Sequence, residues 1–213
     1  MNCSPTRNAM ASTATASASR AEGPAPGVAA PDARQLCALF DELFGASENT
    51  CLVAGGEEPL YVPADCAHAR ARIIFRHDYV ASALHEIAHW CIAGSARRRE
   101  LDYGYWYTPD GRDALRQAEF ERLEARPQAL EWLLSEACGA VFRPSIDNLG
   151  GAAHDPGAFV HAIAAAARDY CVRGMPPRAR LFHAALCRWR GGQAAPDAAH
   201  YVATRLLAAD SCQ

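Results

Sequence analysis

At 213 residues the chain is long enough for one domain of ordinary size plus a terminal extension, and it can bury an apolar core without disulfides or a metal as staples. A hydrophobic share of 50%, a charged share of 21% and a net charge of -3 describe a globular protein and exclude the strongly basic balance of a nucleic-acid binder. No apolar run is long enough to form a membrane-spanning helix.

Residues 1–30 are rich in Ala, Ser, Thr, Pro and Gly and lack a compact apolar stretch behind a charged flank, so they read as a disordered extension rather than a secretory signal. One domain over residues 31–209 is expected to follow. Leu36, Leu39, Phe40, Leu43 and Phe44 recur at helical spacing, with Gly45 as the stop. Cys51-Leu52-Val53 and Leu60-Tyr61-Val62 flank Gly55-Gly56 and predict two short strands around a turn, ending at Pro63. Arg72 to Phe75 predicts a third strand. The chain then passes His77-Asp78 into a helix from about Val80 to Ala93, closed by Gly94.

Tyr103 to Tyr107 alternates aromatic residues before the turn Thr108-Pro109-Asp110-Gly111, which predicts an exposed or edge strand. A helix starting near Ala114 is expected to break or restart around Pro127 and to reach Gly139. Pro144 to Pro156 reads as a loop. Helices follow over Phe159 to Tyr170 and Arg178 to Arg190, with a weaker one over Ala198 to Ala209. The fold class is α+β, helix-rich with a small sheet and no internal repeat.

All 21 basic residues are Arg, which compositional bias explains without any special guanidinium chemistry. The nine cysteines are scattered with no C-x-x-C, so they read as reduced core thiols of a cytoplasmic protein.

The chemistry concentrates in His85-Glu86-Ile87-Ala88-His89. Residues four apart lie on one helix face, so the two imidazoles can converge on one ion, with Glu86 beside them. Val80, Leu84, Ile87, Ala88 and Cys91 form an apolar stripe that would bury the helix and fix the ligand face. The following helix offers Glu119, Glu121, Glu124, Glu131 and Glu136 as a third ligand. Glu124, just ahead of Pro127, is favoured, with Glu121 and then Glu136 as alternatives. Two histidines and a carboxylate leave open coordination positions and suit either zinc or non-haem Fe(II). With zinc, Glu86 would act as general base on a bound water, as in a metallopeptidase.

His85 to Gly94, followed by Ala96-Arg97-Arg98, Asp102 to Tyr107, Pro109 to Asp113 and Pro127-Gln128-Ala129-Leu130, resembles the bacterial elongation factor P hydroxylase family. The similarity extends more loosely from about Arg34 to Arg190, through Glu58-Pro59, Pro63-Ala64-Asp65, His77 and Asp147-Asn148-Leu149. The resemblance implies a zincin-like domain in which His85, His89 and a glutamate hold the metal. It also implies hydroxylation of the elongation factor P lysine that already carries a β-lysyl group.

No histidine is followed two residues later by an acid, so the ligand spacing of 2-oxoglutarate oxygenases is missing, as is a dinucleotide-binding G-x-G-x-x-G. Tyr103, Tyr105, Trp106 and Tyr107 could line a slot for a long lysyl stem or pack as an ordinary strand. Asp102, Asp110 and Asp113 could meet its ammonium groups, and Arg97, Arg98 and Arg99 could dock an acidic partner or satisfy the carbonyls ending the His85 helix. The resulting expectation is an iron-dependent hydroxylase of modified elongation factor P, with Glu86 as a catalytic residue and no direct nucleic-acid or membrane partner. The alternatives are a zinc peptidase and a non-catalytic, metal-stabilised binding protein.

Overall fold

The computed structural model describes residues 31–104, 111–145, 156–190 and 195–210, and the expected extension over residues 1–30 lies outside them. The architecture is α+β, with helices dominating a single three-stranded sheet among the described residues. None of the described helices is long and apolar enough to cross a membrane.

Helix α1 (Ala33–Phe44) starts on a capping box in which the Asp32 side chain accepts from the Gln35 amide, and it buries Leu36, Phe40 and Phe44. Strands β1 (Thr50–Gly56), β2 (Leu60–Val62) and β3 (Ala71–Arg76) follow. The expected turn between β1 and β2 does not pair them. β3 lies in the middle, parallel to β1 and antiparallel to β2. The reason is visible in β3, where Ala71, Ile73 and Phe75 alternate as buried residues and form the most fully covered strand, which belongs at the centre.

Helix α2 (Val80–Ile92) carries the histidines, and helix α3 (Ala114–Cys138) lies against it. α2 does not close on Gly94: its C-cap is Ala93 in an extended conformation. Nor does α3 break at Pro127, which is buried inside one continuous helix. An interior proline removes the hydrogen bond to the Leu123 carbonyl and costs about 3 kcal/mol of helix propensity. Burial of Phe120, Ala125, Ala129, Leu130, Leu133 and Leu134 on both sides of it, against α2 and the later helices, outweighs that cost.

The aromatic strand expected over Tyr103–Tyr107 is absent where it can be followed. Leu101–Gly104 is a 3-10 turn in which Asp102, Tyr103 and Gly104 take positive φ of 48°, 56° and 70°. Tyr103 is buried and stacks on Tyr61 of β2 with ring centroids 4.4 Å apart. Helices α4 (Pro156–Arg173), α5 (Pro177–Arg190) and α6 (Ala203–Asp210) complete the core, α6 being preceded by a 3-10 turn at Ala198–His200. Phe40 and Phe44 of α1, Trp90 of α2 and Phe182 of α5 form the aromatic centre that ties these helices together. Of the described cysteines, Cys91, Cys138 and Cys187 are buried thiols as expected, whereas Cys66 is exposed.

Candidate metal centre

Three features set the geometry of helix α2. The β3 strand ends four residues before α2 and fixes where the helix starts. Ala83, Leu84, Ile87, Ala88, Trp90 and Cys91 are buried and hold its inner face. Its C-terminus is fastened by Arg178 of α5, whose guanidinium donates to the carbonyls of Trp90, Cys91 and Ala93 and stacks 4.6 Å over the Trp90 ring. Arg97, Arg98 and Arg99 do not satisfy those carbonyls: Arg97 donates to the Tyr103 carbonyl and Arg98 pairs with Glu48 at 2.7 Å.

On the face opposite the apolar stripe, the Nε2 atoms of His85 and His89 lie 3.1 Å apart. Glu124 of α3 approaches both, with Oε2 3.6 Å from His85 Nε2 and Oε1 3.3 Å from His89 Nε2. Metal bonds of about 2.0–2.2 Å at tetrahedral to octahedral angles require donors about 2.8–3.6 Å apart. The three edges therefore match a single ion held by two imidazoles and one carboxylate. Glu124 is only 2% exposed, and its Oε2 is a buried oxygen with no hydrogen-bond partner, which is the lone pair such an ion would satisfy.

The electrostatics have the same sense. Burial is the largest influence on both histidines and pushes them toward neutrality, yet the hydrogen bond and charge of Glu131, with Glu124 and Glu86, carry His85 up to about 10. His89 also rises, through Glu124. For Glu124 burial works upward, but His89 and His85 together with a hydrogen bond from Gln128 bring it down to about 2. Burial raises Glu86 and Glu131, and half-buried Asp102 rises by desolvation against the pull of His89. Several carboxylates thus share a small low-dielectric space whose field favours a cation.

Of the proposed third ligands, only Glu124 joins the two histidines among the described residues. Glu121 accepts from Gln117 at 2.8 Å, and exposed Glu136 pairs with His200 and Arg205. Glu86 is 7% exposed and within electrostatic reach of His85, His89 and Asp102. Tyr105, Trp106, Tyr107 and Asp110 lie outside the described residues. Asp113 is exposed and serves as the N-cap of α3, accepting from the Arg116 amide.

Two residues near the site take places that the sequence does not give them: Glu131 reads there only as a possible ligand, and Gln128 only as part of the family run. Glu131, which is 6% exposed, places Oε2 2.9 Å from His85 Nδ1. Gln128, 1% exposed, exchanges two hydrogen bonds with the backbone of Ser145 one turn from Glu124. Their spacing from Glu124, four and seven residues along the helix, was the available signal, since those positions share a face.

A family profile described as elongation factor P hydroxylase matches residues 39–200. The chain is also 44% identical over 151 residues to a Haemophilus influenzae protein called elongation factor P lysine hydroxylase, an alignment covering 71% of this chain and 85% of that one. The span that the profile matches runs over α2, the whole of α3 and the positions of His85, His89 and Glu124. On that extent and identity, the chain belongs to the elongation factor P hydroxylase family.

Proposed function

We propose that the protein is an Fe(II)-dependent hydroxylase of elongation factor P, acting in the cytoplasm on the lysine that carries a β-lysyl group. A single domain over residues 31–209 would carry the activity. The observation that supports this most is the convergence of His85, His89 and Glu124, with edges of 3.1–3.6 Å, inside a chain of this family. A two-histidine, one-carboxylate set suits ferrous iron because it leaves positions open on one side. Iron bound there would supply dioxygen chemistry that places one oxygen atom in a C–H bond and the other in water, with two electrons from an external reductant.

The chain's own residues have separable tasks in this reading. His85, His89 and Glu124 hold the ion. Glu86, buried beside the histidines, holds or passes a proton at its carboxylate. Tyr105, Trp106 and Tyr107 line the path of the lysyl stem, and Asp110 and Asp113 meet its ammonium groups. The several carboxylates around the triad suit a cationic substrate. The net charge of -3 gives no general affinity for nucleic acid, so the partner is the protein factor itself.

Anaerobically purified protein reconstituted with Fe(II), given a reductant and oxygen, is expected to add one oxygen atom, about 16 Da, to β-lysylated elongation factor P, while the zinc form does not. Unmodified factor should react poorly. Cleavage of a peptide bond by the zinc form, with no mass gain from the iron form, would replace this reading with a peptidase.

A further inference from the structure

We infer that Glu131 is a positioning residue that fixes the tautomer and ring plane of His85, making the two histidines unequal ligands. The inference rests on the reading that His85, His89 and Glu124 hold the metal. Glu131 Oε2 is 2.9 Å from His85 Nδ1, while the Nε2 of the same ring faces Glu124 and His89. The carboxylate therefore sits behind the ring, on the side away from the ligand group, and that oxygen cannot join the same ion.

Burying a carboxylate is costly unless a donor meets it. His85 Nδ1 meets Glu131, whose side chain is 8% exposed. That contact keeps a proton on Nδ1, so Nε2 is the nitrogen aimed at the metal position, and an ion that binds there displaces the Nε2 proton. The ring is thereby set before any ion arrives. His89 differs, because its contacts to Glu124 and to His85 both run through Nε2. One ligand is held from behind, and the other takes its orientation from the ligand face itself.

The arrangement follows from the helix. Glu124 and Glu131 are seven residues apart on α3, two turns along one face, and this puts one carboxylate in front of the His85 ring and the other behind it. α3 thus supplies both a ligand and the group that aims another ligand.

The test is titration of metal-free full-length protein with Co(II) alone, read by the visible absorption of the bound ion and by chelator competition, in wild type, Glu131→Leu and Glu131→Gln. Glu131→Leu is expected to weaken Co(II) binding roughly 10–100-fold and to alter the absorption bands. Its metal-free form loses the carboxylate that His85 pairs with, so its melt is recorded beside the titration and the affinity is compared on folded protein. A merely structural role would move the melting temperature and leave the affinity alone. Glu131→Gln keeps an acceptor for the Nδ1 proton and should recover most of the affinity. Equal affinity in wild type and Glu131→Leu, or no recovery in Glu131→Gln, overturns the inference while leaving the ligand reading in place. Wild type that takes up no Co(II) overturns both.

Discussion

The side-chain amide of Gln128 and the backbone of Ser145 exchange two hydrogen bonds, Nε2 donating to the Ser145 carbonyl at 2.8 Å and the Ser145 amide donating to Oε1 at 3.0 Å. This pair ties the segment after α3 back onto the helix one turn from Glu124. Gln128→Ala leaves both Ser145 backbone groups without that partner and is expected to cost about 1–2 kcal/mol, read as a lower urea midpoint of the metal-free protein. An unchanged midpoint would show that water replaces the amide at no cost.

Metal content should separate the glutamates of α3. His85→Ala, His89→Ala and Glu124→Gln are each expected to lose about one equivalent of bound metal by elemental analysis, whereas Glu121→Gln and Glu136→Gln keep it. The distinction follows from position: Glu121 is engaged by Gln117 and Glu136 by His200 and Arg205, away from the histidines.

Arg178 is expected to stabilise the helix that carries His85 and His89. Its guanidinium satisfies carbonyls at the α2 C-terminus and covers the Trp90 ring. Arg178→Ala should destabilise by about 2–4 kcal/mol, because charged hydrogen bonds and a cation-π contact go together. Arg178→Lys should recover only part of it, since an ammonium cannot stack and fork at once. Thermal melts of the three proteins check the order.

His183 on α5 gives a pH dependence that is independent of the metal site. It is 4% exposed, and burial lowers it from the ordinary 6.5. A depressed folded value means that the unfolded chain takes up the proton first as pH falls. Its contribution is therefore complete above 6.5, declines as pH drops below that value, and is lost once pH passes the lowered folded value. Relative to His183→Leu, wild-type stability should fall with acidification below pH 6.5. Parallel stability curves for the two proteins would contradict it.

Periodicity exposed the ligand helix, because His85 and His89 share a face opposite an apolar stripe and both features are local. Glu124 lies beside the two histidines, but not for the reason that favoured it. Glu124 is not at the start of a second helix; it lies inside one long helix that passes through Pro127. Burial on both sides of the proline is a tertiary fact that helix propensity does not contain. The order of the sheet was hidden for the same reason. A Gly-Gly pair between two apolar runs looks like a hairpin, while the pairing depends on how completely β3 is covered. Arg178 was out of reach because it acts on carbonyls far away in sequence, and Tyr103 because its alternating neighbours conceal a left-handed turn.

The candidate ligands come from two helices, α2 and α3, so an ion shared by them would act as a cross-link between distant parts of the chain. Everything from Trp90 to Leu123 then becomes a closed loop anchored at His89 on one side and at Glu124 on the other. Tyr105, Trp106, Tyr107, Asp110 and Asp113 all fall within that loop. Loading the metal would pin both ends of the chain segment that carries the residues proposed to read the substrate, as a clasp fixes a strap. Under the proposed function, metal occupancy and substrate selectivity would be joined through the covalent chain itself, and a variant with a weakened ligand should discriminate less sharply between β-lysylated and unmodified lysine as well as turning over more slowly.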